Sequence, residues 1–375
     1  MNEKISKFLR ENCPATPCLV LDLDVVKGNY EELRAAFPYS GIYYAVKANP
    51  APDILRLLAG LGSCYDAASV AEVEMVLASG AVADRISYGN TIKKEADIAR
   101  AYALGVRTFA FDSAEELDKI ARSAPGSRVF CRILVPSKGA DWPLSRKFGC
   151  DVAMARGLLL AAVDKGVEPY GVSFHVGSQQ RDPEQWDGAI RMSAELFHDL
   201  SDLGVELKML NLGGGFPTRY REDVPSLDQY ADAISESLFR HFGNRTPLTI
   251  VEPGRSLVGD AGVIQSEVVL ISKKSEHDER RWVYLDVGKF GGLAETMDEA
   301  IQYPITSERS GEPEPVILAG PTCDGADILY ERADYRLPND LAIGDRVEIH
   351  GTGAYTSTYS SIGFNGFDPL GEHYI

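Results

Sequence analysis

Short apolar runs that end in polar residues alternate with amphipathic segments of helical period along the first two-thirds of the chain. The strand ends read Tyr44–Lys47, Cys64–Asp66, Ile86–Asn90, Phe109–Asp112, Val129–Arg132, Val172–His175, Leu210–Gly213 and Ile250–Glu252. Predicted helices over Val70–Ser79, Lys94–Leu104, Ala114–Ser123, Ala153–Lys165, Pro183–Leu203 and Leu227–Phe242 lie between them, and Val25–Phe37 precedes the first strand. Eight strands alternating with helices predict an α/β fold built on a (β/α)8 barrel, whose active site lies at the C-terminal ends of the strands. Those ends carry Lys47, Asp66, Arg132, His175, a glycine run and Glu252, and polar groups gathered at one mouth are poor core filling.

After about Gly262 the texture changes to strands without long helices, over Val263–Ser272, Trp282–Val287, Val316–Leu318 and Arg346–His350, with Glu308–Pro315 as a surface loop. The expected division is a barrel over residues 24–261 and a β domain from 1–23 and 262–375, the latter including a strand at Cys18–Leu23.

Composition narrows the partners. The 375 residues are 45% hydrophobic and 25% charged, ordinary for a globular protein. A net charge of −17 argues against nucleic acid or an anionic membrane and suits a cationic substrate. Met1–Arg10 is charged and lacks the apolar core of a signal peptide, and no apolar run is long enough to span a bilayer, so the expected location is cytoplasmic. Six cysteines without CxxC spacing suggest neither a metal site nor a disulfide framework.

Several residues invite chemistry, each with a plainer reading beside it. Lys47 closes the β-forming run Ile42-Tyr-Tyr-Ala-Val-Lys-Ala-Asn-Pro50, where an ammonium half out of water could carry an aldehyde cofactor or could snorkel from a strand end. Leu212-Gly-Gly-Gly-Phe-Pro217 leaves amides free for a phosphate, or is a tight turn. Glu252-Pro-Gly-Arg255 sets a carboxylate near a guanidinium, as an ordinary ion pair also would. His175 alone reads as a core histidine, and Cys323, beside acidic residues, as a structural thiol.

Taken together, Tyr44-Ala-Val-Lys-Ala-Asn49, Ser173-Phe-His-Val-Gly-Ser178, Gly213-Gly-Gly-Phe-Pro217, Glu252-Pro-Gly-Arg255, Gly320-Pro-Thr-Cys-Asp-Gly-Ala-Asp327 and Gly353-Ala-Tyr-Thr356 resemble the fold-type III pyridoxal phosphate-dependent decarboxylases, most closely the ornithine decarboxylase group. The resemblance runs from about residue 18 to the C-terminus and implies an alanine racemase-like barrel with pyridoxal 5'-phosphate. It implies that Lys47 carries the cofactor, His175 stacks on its ring and Glu252 keeps the ring nitrogen protonated, where racemases place an arginine. Ser178, Gly214, Gly215, Gly254, Arg255 and Tyr355 would hold the phosphate, with Asp66 and Arg132 near the lysine and ring. Cys323 would protonate the substrate carbanion from the other subunit of a homodimer, with Lys147 of Ser145-Arg-Lys-Phe-Gly149 pairing with Asp327 across the interface.

For the substrate, Asp324 after the cysteine suits a terminal ammonium, where relatives acting on diaminopimelate or arginine typically have glutamate. A short specificity segment, Gly291-Gly-Leu-Ala-Glu-Thr-Met-Asp-Glu-Ala300, would supply a second acid from Glu299 or, one residue away, Asp298, and Phe364 would line the pocket. This favours L-ornithine to putrescine in polyamine biosynthesis, with L-lysine open. Diaminopimelate, with Arg336 or Arg309 for its distal carboxylate, arginine and carboxynorspermidine remain alternatives. So does a non-catalytic regulator, although that would be expected to have lost the lysine, the cysteine or the phosphate contacts.

Overall fold

The structure, a computed structural model, describes residues 2–136, 138–142 and 147–375. The chain divides into two compact units: Lys27–Pro217 with Val224–Gly254, and the residues through Val26 with Thr218–Asp223 and Arg255–Ile375.

In the first unit, eight parallel strands close into a barrel: Ser40–Ala45, Cys64–Ala67, Ile86–Tyr88, Thr108–Phe111, Arg128–Arg132, Glu168–Ser173, Met209–Asn211 and Leu248–Val251, the last pairing back to the first. Parallel strands are covered on both faces, which is why they read as short unbroken apolar runs; Phe109, Ala110 and Phe111 are fully buried. The helices between strands start on local signals. Ser69, Ser113, Asp151 and Ser226 each accept an amide of the first turn through the side chain, and Ser226 forms a full capping box with Gln229. Because every strand is parallel, residues just past the strand ends collect at one mouth.

The predicted helices fall within a few residues of the observed ones, and Ala114–Ser123 and Leu227–Phe242 match at both ends. Helix Pro52–Leu61, with proline in its first turn and Gly62 closing it in the left-handed region, was not predicted.

The second unit is an eight-stranded mixed sheet. Strand Gly262–Ser272 organises it: its first half pairs with both Cys18–Leu21 and Arg346–His350, and its second half with Arg281–Leu285. Strands Pro313–Ala319 and Ile328–Pro338 continue one side, and Gly371–Tyr374 lies parallel to Cys18–Leu21. Ile264, Val268, Val283, Leu285, Leu318 and Ile349 lie in its core. An unpredicted N-terminal helix, Glu3–Asn12, is capped by Asn2 and packs Ile5 and Leu9 beside Val20 and Val263. The loop expected over Glu308–Pro315 is shorter than read, because its last three residues already belong to strand Pro313–Ala319.

Candidate active site

Lys47 sits just past the first barrel strand, which ends at Ala45, in a single 3-10 turn over Val46–Ala48 rather than on the strand itself. Three bonds fix that turn: the Tyr44 hydroxyl donates to the Asn49 carbonyl (2.8 Å), Ala51 N–H to Asn49 Oδ1 (3.1 Å), and Ala45 N–H to the Pro253 carbonyl (2.9 Å). The Lys47 ammonium lies 3.9 Å from Asp66 Oδ2; its side chain is 47% exposed and that of Asp66 only 5%. The amine is therefore reachable from solvent while its counter-ion is not. Burial raises the Asp66 carboxyl, against the pull of the Lys47 and Arg132 charges, and its Oδ1 has no hydrogen-bond partner among the described residues.

Glu252 follows the last strand, and its N–H donates to the Gly213 carbonyl (2.8 Å). Asn211 fixes the side chain: its Oδ1 accepts Gly213 N–H (2.8 Å), which turns its amide to donate to Glu252 Oε1. Burial and the Asp66 charge push the Glu252 carboxyl from 4.5 to about 7, while Asn211, Lys47 and Arg132 pull the other way. Arg132, at the end of the fifth strand, packs 5.0 Å over the Phe148 ring. Burial lowers its pKa, only partly opposed by the Glu252, Asp66 and Asp112 charges, and the guanidinium stays charged. Burial and the Arg132 and Lys47 charges hold His175 well below 6.5, hence neutral, and its Nδ1 accepts Gly177 N–H (3.0 Å), leaving the proton on Nε2.

The glycine run closes one side of this mouth. A Cβ at Gly213, Gly214 or Gly215 would lie 2.3, 2.4 or 2.5 Å from the carbonyls of Phe174, Glu252 and Gly177, and Gly213 and Gly215 have φ of +68° and +106°. Among the described residues, the N–H groups of Gly214 and Gly215 have no protein acceptor, which leaves two amide donors for an anion. Ser178 begins a short strand, Ser178–Gln180, paired with Ala140–Trp142, and Gly254 is the second residue after Glu252.

In the second unit Arg255 is buried, and its fork is met by Glu295 at 2.7 and 2.6 Å, with Tyr220 Oη at 2.8 Å and the Tyr355 ring 5.0 Å away. Arg255, which the resemblance expects to help hold the phosphate, thus has both η nitrogens on a carboxylate. Cys323 is exposed, its N–H donating to Asn365 Oδ1 (2.9 Å), so its thiol is not packed into a core. Asp324 and Asp298 are exposed. Glu299 is not open in the same way: its carboxylate accepts the N–H groups of Glu331, Arg332 and Ala333, all at 2.8 Å. Asp327 is buried and accepts Lys289 N–H (2.8 Å) and the Thr322 amide and hydroxyl (3.1 and 2.7 Å). Phe364 packs on Phe290 with ring centroids 4.8 Å apart, and Lys147 lies 5.1 Å from the Phe148 ring. Ser145 and Arg146 of the Lys147 motif lie outside the described residues.

Asn211 and Glu295 were missed in the sequence. Asn211 was visible as the polar residue closing a barrel strand; Glu295 carried no signal, since its partner lies 40 residues away.

A family model described as pyridoxal-dependent decarboxylase, pyridoxal binding domain, matches residues 23–259. The chain belongs to the pyridoxal-dependent decarboxylases. It is 37% identical to a lysine/ornithine decarboxylase of Selenomonas ruminantium, covering 98% of this chain and 91% of the relative. It is 34% identical to antizyme inhibitor 2 of Xenopus laevis, covering 95% and 80%. Among solved structures, a lysine/ornithine decarboxylase from Vibrio vulnificus complexed with putrescine superposes with a TM-score of 0.88 at 32% identity, covering 99% of this chain and 97% of that one.

The mouth of this decarboxylase fits pyridoxal phosphate. The glycine amides offer donors in a cradle that a Cβ would fill, Lys47 offers a reachable amine, and Glu252 offers a carboxyl that gains or loses a proton near neutrality. When bound, the cofactor supplies a covalent handle for an amine and a sink for the electron pair left by departing carbon dioxide. Among the described residues, no helix is long and apolar enough to cross a membrane.

Proposed function

We propose that this decarboxylase acts on short basic L-amino acids with a terminal ammonium, L-ornithine giving putrescine first and L-lysine giving cadaverine second. The observation that carries the reaction class is Glu252, a carboxyl pushed to about 7 at the centre of the mouth, where it can share a proton with a basic ring nitrogen. A neutral His175 would cover the ring without adding positive charge, and Asp66 would steady the Lys47 amine as it exchanges with the substrate amine. Exposed Asp324 and Asp298 favour a cationic side chain, and similarity to lysine/ornithine decarboxylases supports the same class. Glu299, whose carboxylate is filled by amides, is the weaker candidate for direct contact.

Product analysis with ornithine, lysine, arginine and diaminopimelate at equal concentration tests this; diaminopimelate or arginine turned over as fast as ornithine would refute the terminal-ammonium reading. A regulator resembling antizyme inhibitor 2 is the second reading. Retention of Lys47, the glycine cradle and an exposed Cys323 favours the enzyme.

In this proposal two copies share sites, the Cys323 thiol of one delivering the proton to the substrate carbon held by the other. Lys147 would approach Asp327 of the second copy as an added contact, because that carboxylate already serves its own loop. Inactive Cys323→Ala and Lys47→Ala proteins should regain up to about a quarter of wild-type activity when mixed and re-equilibrated, by random pairing of subunits. No recovery would refute shared sites.

A further inference from the structure

Two carboxylates of the second unit do unusual work. Glu299 ends a segment in which Asp298 and Glu299 both take left-handed backbone, φ +53° and +60°, which two successive non-glycine residues adopt only when their surroundings hold them there. What holds them is strand Ile328–Pro338. Its register with Pro313–Ala319 jumps from Val316↔Tyr335 to Leu318↔Tyr330, so residues 331–334 bulge away from the ladder. The freed amides of Glu331, Arg332 and Ala333 converge on Glu299, and the Arg332 guanidinium donates to the Asp298 carbonyl (2.6 Å). Burial would raise the Glu299 carboxyl, but these amides and the Arg332 charge hold it below the usual value, so it stays ionised.

Asp327 does the reverse. It ends the loop that carries Cys323 and Asp324, and it accepts the amide of Lys289, two residues before the Gly291–Ala300 segment. Its carboxylate is wedged against Gly288 and Gly320, where a Cβ would lie 2.2 and 2.4 Å from its oxygens.

We infer that Glu299 and Asp327 are paired positioning residues: Glu299 ties the Asp298 turn to the bulge of strand Ile328–Pro338, which follows the Cys323–Asp324 loop, and Asp327 ties that loop to Lys289 ahead of the turn, so that substrate length and proton delivery are set by one rigid body. This rests on the reading of Asp298 and Asp324 as substrate-facing acids. In a stapled pair neither acid can shift alone to meet an ammonium one methylene nearer or farther.

The test compares the holoenzyme with Glu299→Ala, Glu299→Gln and Asp298→Asn, measuring kcat and KM on ornithine and lysine, with amide hydrogen exchange over residues 320–335. Glu299→Ala should speed exchange at 331–333 at least about tenfold and move the ornithine-to-lysine ratio of kcat/KM about fivefold toward unity, mainly through KM. Glu299→Gln keeps one acceptor oxygen and should hold that ratio within about twofold of wild type. A Glu299→Ala enzyme that loses stability yet keeps the wild-type ratio would overturn the staple. Asp298→Asn with unchanged KM on both substrates would instead count against the substrate reading beneath it.

Discussion

Glu252→Gln in the cofactor-free protein isolates what the barrel mouth does to one carboxyl. The substitution is nearly isosteric, and a glutamine oxygen still accepts the Asn211 amide, so packing changes little while the titration disappears. The folded carboxyl is raised from 4.5 to about 7, and at about 1.4 kcal/mol per pH unit that difference is about 3 kcal/mol. The folded state binds the proton more tightly than the unfolded chain. Its contribution to stability is therefore complete below about pH 4.5, falls as the pH rises, and is gone above about pH 7. Relative to wild type, the glutamine variant should gain about 2–3 kcal/mol of barrel stability between about pH 5 and pH 8. Denaturant titrations of both cofactor-free proteins at half-unit pH steps, followed by a barrel-specific signal, give the difference curve. A curve flat within about 0.5 kcal/mol would show that Glu252 is not held protonated at neutral pH, and the proton-sharing role would fall with it.

Lys47→Ala should lose the visible absorbance of the bound cofactor and at least about a thousandfold in kcat; a retained band fixed by borohydride would place the covalent link elsewhere. Gly215→Ala puts a methyl 2.5 Å from the Gly177 carbonyl at a φ of +106°, and should raise the cofactor dissociation constant at least about tenfold by absorbance titration. An unchanged constant would remove the glycine amides from phosphate binding. Glu295→Ala strands the Arg255 guanidinium, the two side chains being 4% and 3% exposed, and should cost about 3–5 kcal/mol by chemical denaturation. A loss under about 1 kcal/mol would mean that the pair is not what keeps Arg255 buried.

The barrel was legible because its strands and helices obey different periods and its polar residues fall at strand ends, where a parallel fold gathers them. Lys47, Asp66, Arg132, His175 and Glu252 were read at strand ends that way, and the structure places each at or just past a barrel strand. What sequence could not supply were partners brought together by topology. Glu295 on Arg255 and the three amides on Glu299 join residues more than thirty positions apart, so neither the buried ion pair of Arg255 nor the backbone bonds of Glu299 could be read beside the roles the resemblance implies for them. Strand Ile328–Pro338 went unseen for a related reason: Glu331, Arg332, Asp334 and Arg336 break its alternation around the bulge that Glu299 fills. Helix Glu3–Asn12 was hidden by a sequence half of whose residues are charged and whose apolar contacts are Ile5, Phe8 and Leu9.

Strand Cys18–Leu21 has a consequence for how the chain comes off the ribosome. It precedes the whole barrel in the chain, yet its neighbours are Gly262–Ser272 on one edge and Gly371–Tyr374 on the other, with Ile375 N–H closing onto the Leu21 carbonyl. The barrel sequence, Lys27–Pro217 and Val224–Gly254, can be folded while those four apolar residues still wait with both edges open, a template for any stray strand. The smaller unit is thus completed only by strands that follow the barrel in the chain, and slow translation of Gly262–Tyr374 should cost soluble yield more than an equal delay within the barrel.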